Sequence, residues 1–493
     1  VGNGGYATIQ AAIDAASGGE TIHIASGDYF EALDIDQTLN LIGYGDVTVA
    51  PTGNDPIAVL VDGSGSISFT NIDLDGSAGI QTVSGDVGGD VYLPHTGLQV
   101  ANDAELTTLT FVSGDISNFD DYGLVSIVED SYPNDTVTPA VQDLILENVN
   151  FINNADSAQT ATNKNTLDAQ IKLFGFAGSL NATDVSVVAD SVIAERGIEI
   201  VGNTVSGGQS DQGPFPPANL TFDGLTLSGS YTKSPFAVYT YDTVDGSGGS
   251  AGLSIVSGDF SAASSVEGWG LLFISGIADG AIDANSLDIS YPATMSGNAP
   301  LGPALVWLDA TSSTTDAVHI TGPAATTSGA FYSLITGGSG DDTLTAGDGL
   351  TVLFGGGGND LAVGSSFNDI FGIADTNTGF LFDPGNDTYT GGDGADQFHI
   401  ASGNDTVTDL ADSDALIVYV SGNVNATVTA DYTATSATEN SGTAILNVDD
   451  GIDVDLSSVT SGDSGFTIDA SGNSTASNLT GSQFNDIILG GAS

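Results

Sequence analysis

The feature that most constrains this chain is a nine-residue periodicity that runs without a slip over residues 337–408. The eight consecutive blocks are GGSGDDTLT, AGDGLTVLF, GGGGNDLAV, GSSFNDIFG, IADTNTGFL, FDPGNDTYT, GGDGADQFH and IASGNDTVT. The sixth position is aspartate in six blocks (Asp342, Asp360, Asp369, Asp387, Asp396 and Asp405) and threonine in two (Thr351 and Thr378). The eighth position is apolar in every block. A short fixed period of this kind predicts a solenoid, in which each repeat packs only against its neighbours.

The pattern G-G-x-G-x-D-x-apolar-x resembles the calcium-binding nonapeptide repeat of the RTX (haemolysin-type) proteins. In that family two nonapeptides make one coil of a parallel β-roll, and Ca²⁺ ions lie between blocks two repeats apart. The resemblance implies a set of calcium-binding residues: Gly338, Gly340, Asp342, Gly356, Gly358, Asp360, Asp369, Asp387, Gly392, Gly394, Asp396, Gly403, Asp405 and, in a further block at 481–489 (GSQFNDIIL), Asp486.

Alternate blocks then define two rows of sixth-position residues. The expected rows are Asp342, Asp360, Thr378 and Asp396 on one side, and Thr351, Asp369, Asp387 and Asp405 on the other. The most complete sites are expected between Asp369 and Asp387, between Asp387 and Asp405, and between Asp342 and Asp360. Block 373–381 lacks the glycines, so missing ions or a bulged loop are expected there.

The residue types suit calcium chemistry. Glycine permits the tight turns that direct carbonyl oxygens inward, and aspartate supplies a hard anionic oxygen of the kind that Ca²⁺ prefers. Without calcium, stacked carboxylates would repel and short strands could not offset the entropy of ordering, so we expect this region to fold on binding Ca²⁺. The alternative, a flexible Gly/Asp linker, does not explain eight blocks in phase with an apolar eighth residue.

The charge of the whole chain limits its partners. It has 63 Asp and Glu against 4 Lys and Arg, a formal net charge of −59, which would repel nucleic acid and anionic membranes unless cations intervened. No apolar run is long enough to span a membrane. The absence of cysteine excludes disulfides and thiolate metal sites. The first residue is Val and the last residues begin a further repeat, so we expect the chain to be a mature or partial piece of a longer protein.

The N-terminal residues indicate a capped solenoid. Residues 7–17 place Ile9, Ala12, Ile13 and Ala16 on one helical face after the candidate N-cap Thr8, and short strands follow at 21–24, 32–35 and 39–43. This opening resembles the cap and first coils of the right-handed parallel β-helices of the pectin-lyase-like superfamily. From 67 to 330 apolar pairs recur at irregular intervals around Asn, Asp, Gly or Ser, as in ISFTNIDLDG, LILENVNFINN and LTFDGLTLSG, which is typical of solenoid coils with polar corners. An immunoglobulin-like sandwich would give similar short strands.

The predicted fold is therefore all-β: a right-handed parallel β-helix, then a calcium-binding parallel β-roll and a small antiparallel β region. The predicted domains are 1–330 for the β-helix with its helical cap, 331–420 for the β-roll, 421–480 for the small β region or linker, and 481–493 for the start of a second RTX block. The antiparallel prediction rests on strict alternation at 424–432, 444–448 and 452–456.

Evidence for an enzyme is weak. Both β-helices and calcium rolls occur in alginate- and pectin-active proteins, so a calcium-dependent lyase, epimerase or hydrolase is the main alternative function. Such enzymes need basic or proton-transferring groups, and the chain offers only Lys164, Lys172, Arg196, Lys233, His23, His95, His319 and His399. Tyr239, Tyr241 and Asp242 near Lys233 form the best candidate cluster. A solvated Lys233 in a loop, with the tyrosines flanking a strand, is the more ordinary explanation. An Arg196 paired with Glu195 or Glu199 is likewise more ordinary than a catalytic base.

The sequence favours a non-catalytic extracellular structural protein: a surface-layer, matrix-filament or adhesin subunit that calcium folds and assembles. Residues 466–487 are similar in composition to segments between calcium repeats in bacterial surface-layer and other large secreted proteins. RTX-type proteins are typically exported unfolded through a one-step bacterial secretion channel, so the expected location is extracellular, at the bacterial cell surface. The expected partners are calcium ions, further copies of the chain in a sheet or filament, and a cell-surface polysaccharide; a carbohydrate-binding module is a third option.

Overall fold

The computed structural model describes the following residues: 1, 5–52, 55–78, 81–82, 91–92, 96–101, 104–127, 140–155, 169–174, 176, 178–194, 196–201, 219–231, 235–239, 252–265, 272–275, 281–283, 287–288, 304–309, 319–321, 332–337, 341–347, 349–376 and 379–491. The regular secondary structure of these residues is almost entirely β-strand, as predicted. Among them no helix has the length and apolarity needed to cross a membrane.

One α-helix, α1 (Ile9–Ala15), and one 3-10 turn (Gly76–Ala78) accompany the strands. The first twenty strands are β1 (Glu20–Tyr29), β2 (Leu33–Ile35), β3 (Leu39–Val49), β4 (Ile57–Val61), β5 (Ser64–Thr70), β6 (Asp73–Asp75), β7 (Gln81–Thr82), β8 (Val91–Tyr92), β9 (Thr96–Val100), β10 (Glu105–Ser117), β11 (Tyr122–Ile127), β12 (Val141–Ile152), β13 (Ala169–Phe174), β14 (Ser179–Thr183), β15 (Ser186–Ala194), β16 (Arg196–Val201), β17 (Asn219–Tyr231), β18 (Phe236–Tyr239), β19 (Gly252–Ser265) and β20 (Leu272–Ser275).

The later strands are β21 (Ala281–Asp283), β22 (Leu287–Asp288), β23 (Ala304–Asp309), β24 (His319–Thr321), β25 (Tyr332–Thr336), β26 (Thr343–Thr345), β27 (Thr351–Phe354), β28 (Leu361–Val363), β29 (Ile370–Phe371), β30 (Ile373–Thr376), β31 (Gly379–Phe382), β32 (Thr388–Thr390), β33 (Gln397–Asp412), β34 (Ala415–Thr433), β35 (Glu439–Asn440), β36 (Thr443–Val448), β37 (Val454–Asp455), β38 (Ser461–Gly462), β39 (Thr467–Asp469), β40 (Leu479–Thr480) and β41 (Ile487–Leu489).

The chain divides into two compact units: Val1–Ile277 with Ser286–Asn298, and Ala278–Asn285 with Ala299–Ser493. The first unit begins with the predicted helical cap. Thr8 is the N-cap of α1, because its Oγ1 accepts a hydrogen bond from the N–H of Ala11 at 3.1 Å. Ile9 and Ile13 are buried on the inner face of the helix, which contacts β1 and β2.

Apart from β7 and β8, which pair with each other antiparallel, the strands of the first unit form parallel ladders. One runs through β1, β3, β5, β10, β12, β14, β17 and β19, and a second through β2, β4, β9, β11, β13, β16, β18 and β20. The distal ends of the long strands pair with β6, β15 and β22 to make a third. The immunoglobulin-like alternative is wrong, because its sheets are antiparallel and these ladders are parallel.

The core of the first unit is a stack of apolar side chains in register. Leu39, Ile67, Leu109, Leu144, Leu180 and Leu220 face one another in successive coils and are all at most 1% exposed. The adjacent corner is equally regular. Asn71, Ser113, Asn148, Asp184 and Gly224 occupy it in successive coils, all with positive φ between 50° and 74°. The expectation of Asn, Asp, Gly or Ser at left-handed corners is therefore confirmed here.

The second unit contains parallel ladders of shorter strands. One ladder runs β24, β26, β28, β32 and β33, and another runs β25, β27, β29 and β33. The exception is β30 and β31, which pair with each other as an antiparallel hairpin over Ile373–Phe382. The expected bulged loop at 373–381 is thus part of a hairpin. The parallel ladders bypass it, because β28 pairs directly with β32 and β29 directly with β33.

The antiparallel region predicted after residue 420 is wrong. β34 pairs in parallel with β33, β35, β36 and β37, and the parallel pairing continues through β38, β39, β40 and β41. Alternation misled the prediction, because a solenoid strand has one face in the core and the other in solvent whichever way its neighbours run. The domain boundaries at 330, 420 and 480 stay predictions.

Candidate metal centre

The sixth-position aspartates are placed by the strands that follow them. Asp342, Asp360 and Asp387 each directly precede a three-residue strand, namely β26, β28 and β32. Each of their main-chain carbonyls accepts a hydrogen bond from the residue that follows the corresponding aspartate of the next coil, at 2.7–2.9 Å. This ladder fixes the register, so that aspartates of successive coils lie above one another.

The first row consists of Asp342, Asp360, Asp387 and Asp405. Within it each N–H donates to Oδ1 of the next aspartate: Asp342 to Asp360 at 2.7 Å, Asp360 to Asp387 at 2.9 Å, and Asp387 to Asp405 at 2.9 Å. All four residues are buried. A row of this kind holds one carboxylate oxygen of each aspartate in a fixed direction.

The second row consists of Thr351, Asp369, Asp396 and Asp414 and repeats the same geometry. The N–H of Thr351 donates to Asp369 Oδ1 at 2.8 Å, that of Asp369 to Asp396 Oδ1 at 2.7 Å, and that of Asp396 to Asp414 Oδ1 at 2.9 Å. Asp414 lies beyond the last complete nonapeptide and was not among the predicted residues. Its signal in the sequence is its spacing of 18 from Asp396.

These rows correct the predicted ones. Asp342 with Asp360 and Asp387 with Asp405 are neighbours as expected, but Asp369 is not next to Asp387. Both rows step by 27 residues once, from Asp360 to Asp387 and from Asp369 to Asp396, because the hairpin of β30 and β31 removes one nonapeptide from the coil. Thr378, which was placed in the first row, lies outside the described residues.

Several predicted glycines adopt backbone conformations that favour glycine. Gly356 and Gly358 have φ of 99° and 131°, and Gly392 and Gly394 repeat the pair with 92° and 134°. Gly403 also has positive φ. Gly338 and Gly340 lie outside the described residues. The first glycines of two blocks, Gly355 and Gly391, have a different role: a Cβ on either would collide with Oδ2 of Asp360 or Asp396.

Burial makes these carboxylates hard to ionise without a cation. It raises the pKa of Asp360, Asp396 and Asp405 to about 7 and that of Asp369 to about 6, and neighbouring carboxylates contribute to the rise at Asp360, Asp396 and Asp405. No Lys or Arg occurs anywhere between residues 234 and 493. No lysine or arginine of this stretch can therefore compensate the rows.

One carboxylate that sequence reasoning missed joins the first row. Asp383 contributes to a group with Asp360 and Asp387 in which one ligand atom of each lies within 4.8 Å of the others. Burial raises the pKa of Asp383 to about 8, with Asp387 and Asp360 adding to the rise. Oδ2 of Asp360 and Oδ2 of Asp396 are buried and have no hydrogen-bond partner. Aspartate oxygens directed into a site without a basic side chain fit a hard divalent cation such as Ca²⁺.

Asp486 lies in a turn that reproduces an earlier one. Its Oδ2 accepts from the N–H of Ser482 at 2.6 Å, as Asp369 Oδ2 accepts from Ser365 at 2.7 Å. Its Oδ1 accepts from the N–H of Phe466 rather than from an aspartate, since Phe466 precedes β39 in the adjoining coil. Asp486 therefore has the local turn of a repeat without a second aspartate at that position of the adjoining coil.

Two of the basic residues that the structure describes form a buried group with one acid. Lys172 and Arg196 each contact Glu199 at 3.1 Å, and all three side chains are buried. The expected Arg196–Glu199 pairing is thus confirmed. His399 lies 3.2 Å from the Tyr419 hydroxyl, and burial lowers its pKa to about 4, so it is neutral at physiological pH. Lys164, Lys233, His95, Tyr241 and Asp242 lie outside the described residues, as do the side chains of Tyr239 and His319.

No protein-family model matches the chain, no curated protein is significantly similar to it, and no solved structure matches it.

Proposed function

We propose that the second unit is an RTX-type calcium-binding β-roll, in which Ca²⁺ binds along the two rows of aspartates and makes the roll fold. The observation that carries the proposal is the unpartnered, buried Oδ2 of Asp360 and of Asp396, each within a row of stacked carboxylates. Stacked anions in a low-dielectric interior are unstable without a compensating charge. A calcium ion supplies that charge and joins successive coils.

The proposed location is outside the cell, at a bacterial surface. There free calcium is abundant, so the roll would stay unfolded before export and fold after it. The chain has no cysteine, so bound calcium would stabilise the fold as disulfides do in many secreted proteins. Export in the unfolded state through a bacterial secretion channel is the corresponding route.

The proposed role is structural: a surface-layer, matrix-filament or adhesin subunit. Four Lys and Arg in 493 residues leave few groups to neutralise a polyuronate substrate, and two of the four are buried with Glu199. Exposed carboxylates on neighbouring copies would repel in the absence of divalent ions and bind bridging Ca²⁺ in its presence. Association into sheets or filaments, and contact with a cell-surface polysaccharide, would then depend steeply on calcium.

Electron microscopy of the whole chain with millimolar calcium and with a chelator tests the structural role. Ordered sheets or filaments are expected with calcium and dispersed chains with chelator. Replacing Asp369 and Asp396 together by asparagine should abolish assembly, whereas Asp450→Asn and Asp453→Asn, at two aspartates outside the rows, should not. Chains that remain monomeric with calcium and cleave or epimerise a uronate polymer would contradict the proposal and support the enzymatic alternative.

A further inference from the structure

One cluster of carboxylates differs from all other neighbouring aspartates of the two rows. Asp360, Asp383 and Asp387 are 3%, 2% and 1% exposed, and a ligand atom of each lies within 4.8 Å of the other two. No other three acidic or histidine side chains come this close in the described part of the chain. An independent observation points to a ligand: Oδ2 of Asp360, in this nearly inaccessible side chain, has no hydrogen-bond partner.

The third carboxylate of the cluster does not belong to the repeat pattern. Asp383 is the second residue of block 382–390, where the repeat has glycine, and it directly follows the hairpin of β30 and β31. Its two oxygens accept hydrogen bonds from the N–H groups of Gly355 at 2.9 Å and Gly356 at 3.0 Å. These bonds hold the carboxylate in place beside the aspartates of the first row.

Asp409 offers a close comparison. Its oxygens accept from the N–H groups of Gly391 at 2.8 Å and Gly392 at 2.9 Å, in the same two-point manner. It is only half-buried, however, and it forms no group of this kind with Asp396 and Asp414. The two glycine-binding aspartates therefore differ in whether they join a cluster of three carboxylates.

We infer that Asp360, Asp383 and Asp387 form a discrete divalent-cation site that binds Ca²⁺ more tightly than the remaining pairs of the rows. The inference rests on the proposed calcium function. Affinity for Ca²⁺ rises with the number of anionic ligands and with the rigidity of the site, and this cluster has one carboxylate more than a pair in a row. The site is filled first as calcium rises, and it fixes the coil at the point where the row resumes after the hairpin.

Terbium, a luminescent substitute for calcium, can report this site. The Tyr389 hydroxyl donates to Asp387 Oδ2 at 3.2 Å, so a Tb³⁺ ion held by the cluster would lie near that ring and be sensitised by it. The whole chain, stripped of metal, is titrated with Tb³⁺ and separately with Ca²⁺ by calorimetry. Two classes of site are expected, with the tighter class giving tyrosine-sensitised luminescence.

Asp383→Asn and Asp409→Asn are the matched pair of variants. Asp383→Asn is expected to weaken the tight class by about tenfold or more, and Asp409→Asn to leave that class in place. Circular dichroism at saturating calcium establishes that both variants fold. If Asp383→Asn does not fold, Tyr389→Phe decides the location: it should remove most of the luminescence of the tight class, and Tyr419→Phe should not.

The outcomes separate this inference from the proposed function. A tight class that survives Asp383→Asn unchanged, or keeps its luminescence in Tyr389→Phe, overturns the three-carboxylate site but leaves calcium folding of the roll intact. A wild-type chain that binds no calcium overturns both.

Discussion

The main-chain N–H of Asp369 donates to Oδ1 of Asp396 at 2.7 Å, across 27 residues, whereas the N–H of Thr351 reaches Asp369 across 18. The extra nine residues are one whole nonapeptide, block 373–381, which lies within the hairpin of β30 and β31. The sequence repeat therefore contains one block that the coil does not. After the hairpin each sixth-position aspartate lies in the opposite row from the one that its place in the sequence predicts.

Removal of residues 373–381 should leave the roll intact. The deletion joins Gly372 to Phe382, and these two lie at the base of the hairpin, where the N–H of Asp383 donates to the carbonyl of Gly372 at 3.2 Å. The free energy of unfolding with calcium should fall by no more than about 2 kcal/mol, because a shorter connection between the same ends has a small entropic effect and Ile373 is the one buried apolar side chain described in the deleted block. Chemical denaturation with saturating calcium measures it.

The control deletion removes block 364–372, which is equal in length but belongs to the ladder. It eliminates the fully buried Phe371 and should cost at least about 3–5 kcal/mol. Equal losses for the two deletions would show that the hairpin block is part of the coil, contrary to this structure.

Thr351→Asp should add a calcium ion to the second row. Thr351 is fully buried directly beside Asp369, whose Oδ1 accepts its N–H at 2.8 Å. An aspartate there would restore the sixth-position pattern and raise the number of bound Ca²⁺ ions by one, measured by calorimetry on the whole chain. Without metal the same variant should shift the folding equilibrium of the roll further toward the unfolded state, by roughly 1–3 kcal/mol, because it buries a further uncompensated acid.

Thr351→Asn is the control for this gain. It has nearly the same shape as aspartate and no charge, so it should not add an ion. An unchanged calcium stoichiometry in Thr351→Asp, or an equal gain in Thr351→Asn, would contradict the assignment of the second row.

The metal-free roll should be more stable in acid than at neutral pH. In the folded chain the pKa of Asp369 is raised to about 6, that of Asp360, Asp396 and Asp405 to about 7, and that of Asp383 to about 8. An aspartate whose pKa is raised in the folded state stabilises the folded roll fully at a pH below its unfolded-state pKa of about 4. This stabilisation is lost as the pH rises through about 6–8. Far-ultraviolet circular dichroism of calcium-stripped protein at about pH 5 and about pH 8 measures the trend, with more β-structure expected at the lower pH.

Saturating calcium should reverse this pH dependence, because Ca²⁺ binds the deprotonated carboxylates and protons compete with it. A metal-free roll that is more stable at about pH 8 than at about pH 5 would contradict the burial of protonated aspartates in the rows.

Much of the first unit could be predicted from the sequence. The apolar residues and the intervening Asn, Ser, Asp or Gly recur together in the chain, and the structure stacks Leu109 on Leu144 and Ser113 on Asn148 accordingly. The prediction succeeded because each coil repeats one local rule: two short strands that meet at a left-handed corner. The same holds for N-cap Thr8 and the inner face of α1.

The exact pairing of aspartates could not be predicted. Block 373–381 is in phase with the repeat, and nothing in its sequence shows that its two strands pair with each other instead of joining the coil. Its missing glycines indicated an irregularity but not its topology. Asp383 was missed for the same reason, because its place beside Asp360 depends on where the coil resumes. The parallel course of β34 to β41 was missed because alternation reports which face is buried, not the direction of the neighbouring strand.

The central claim is that calcium folds the aspartate rows, and hydrogen exchange of the whole chain with and without calcium tests it most directly. The N–H groups of Asp360, Asp369 and Asp387 donate to carboxylates of the next coil, so their exchange reports whether the rows are formed. With excess calcium, exchange over 341–414 should slow by at least about 100-fold, the effect expected at a free ligand concentration of about 100 times its dissociation constant. Exchange in β10 and β12 of the first unit should not change. Equal protection of 341–414 in calcium and in chelator would contradict the account.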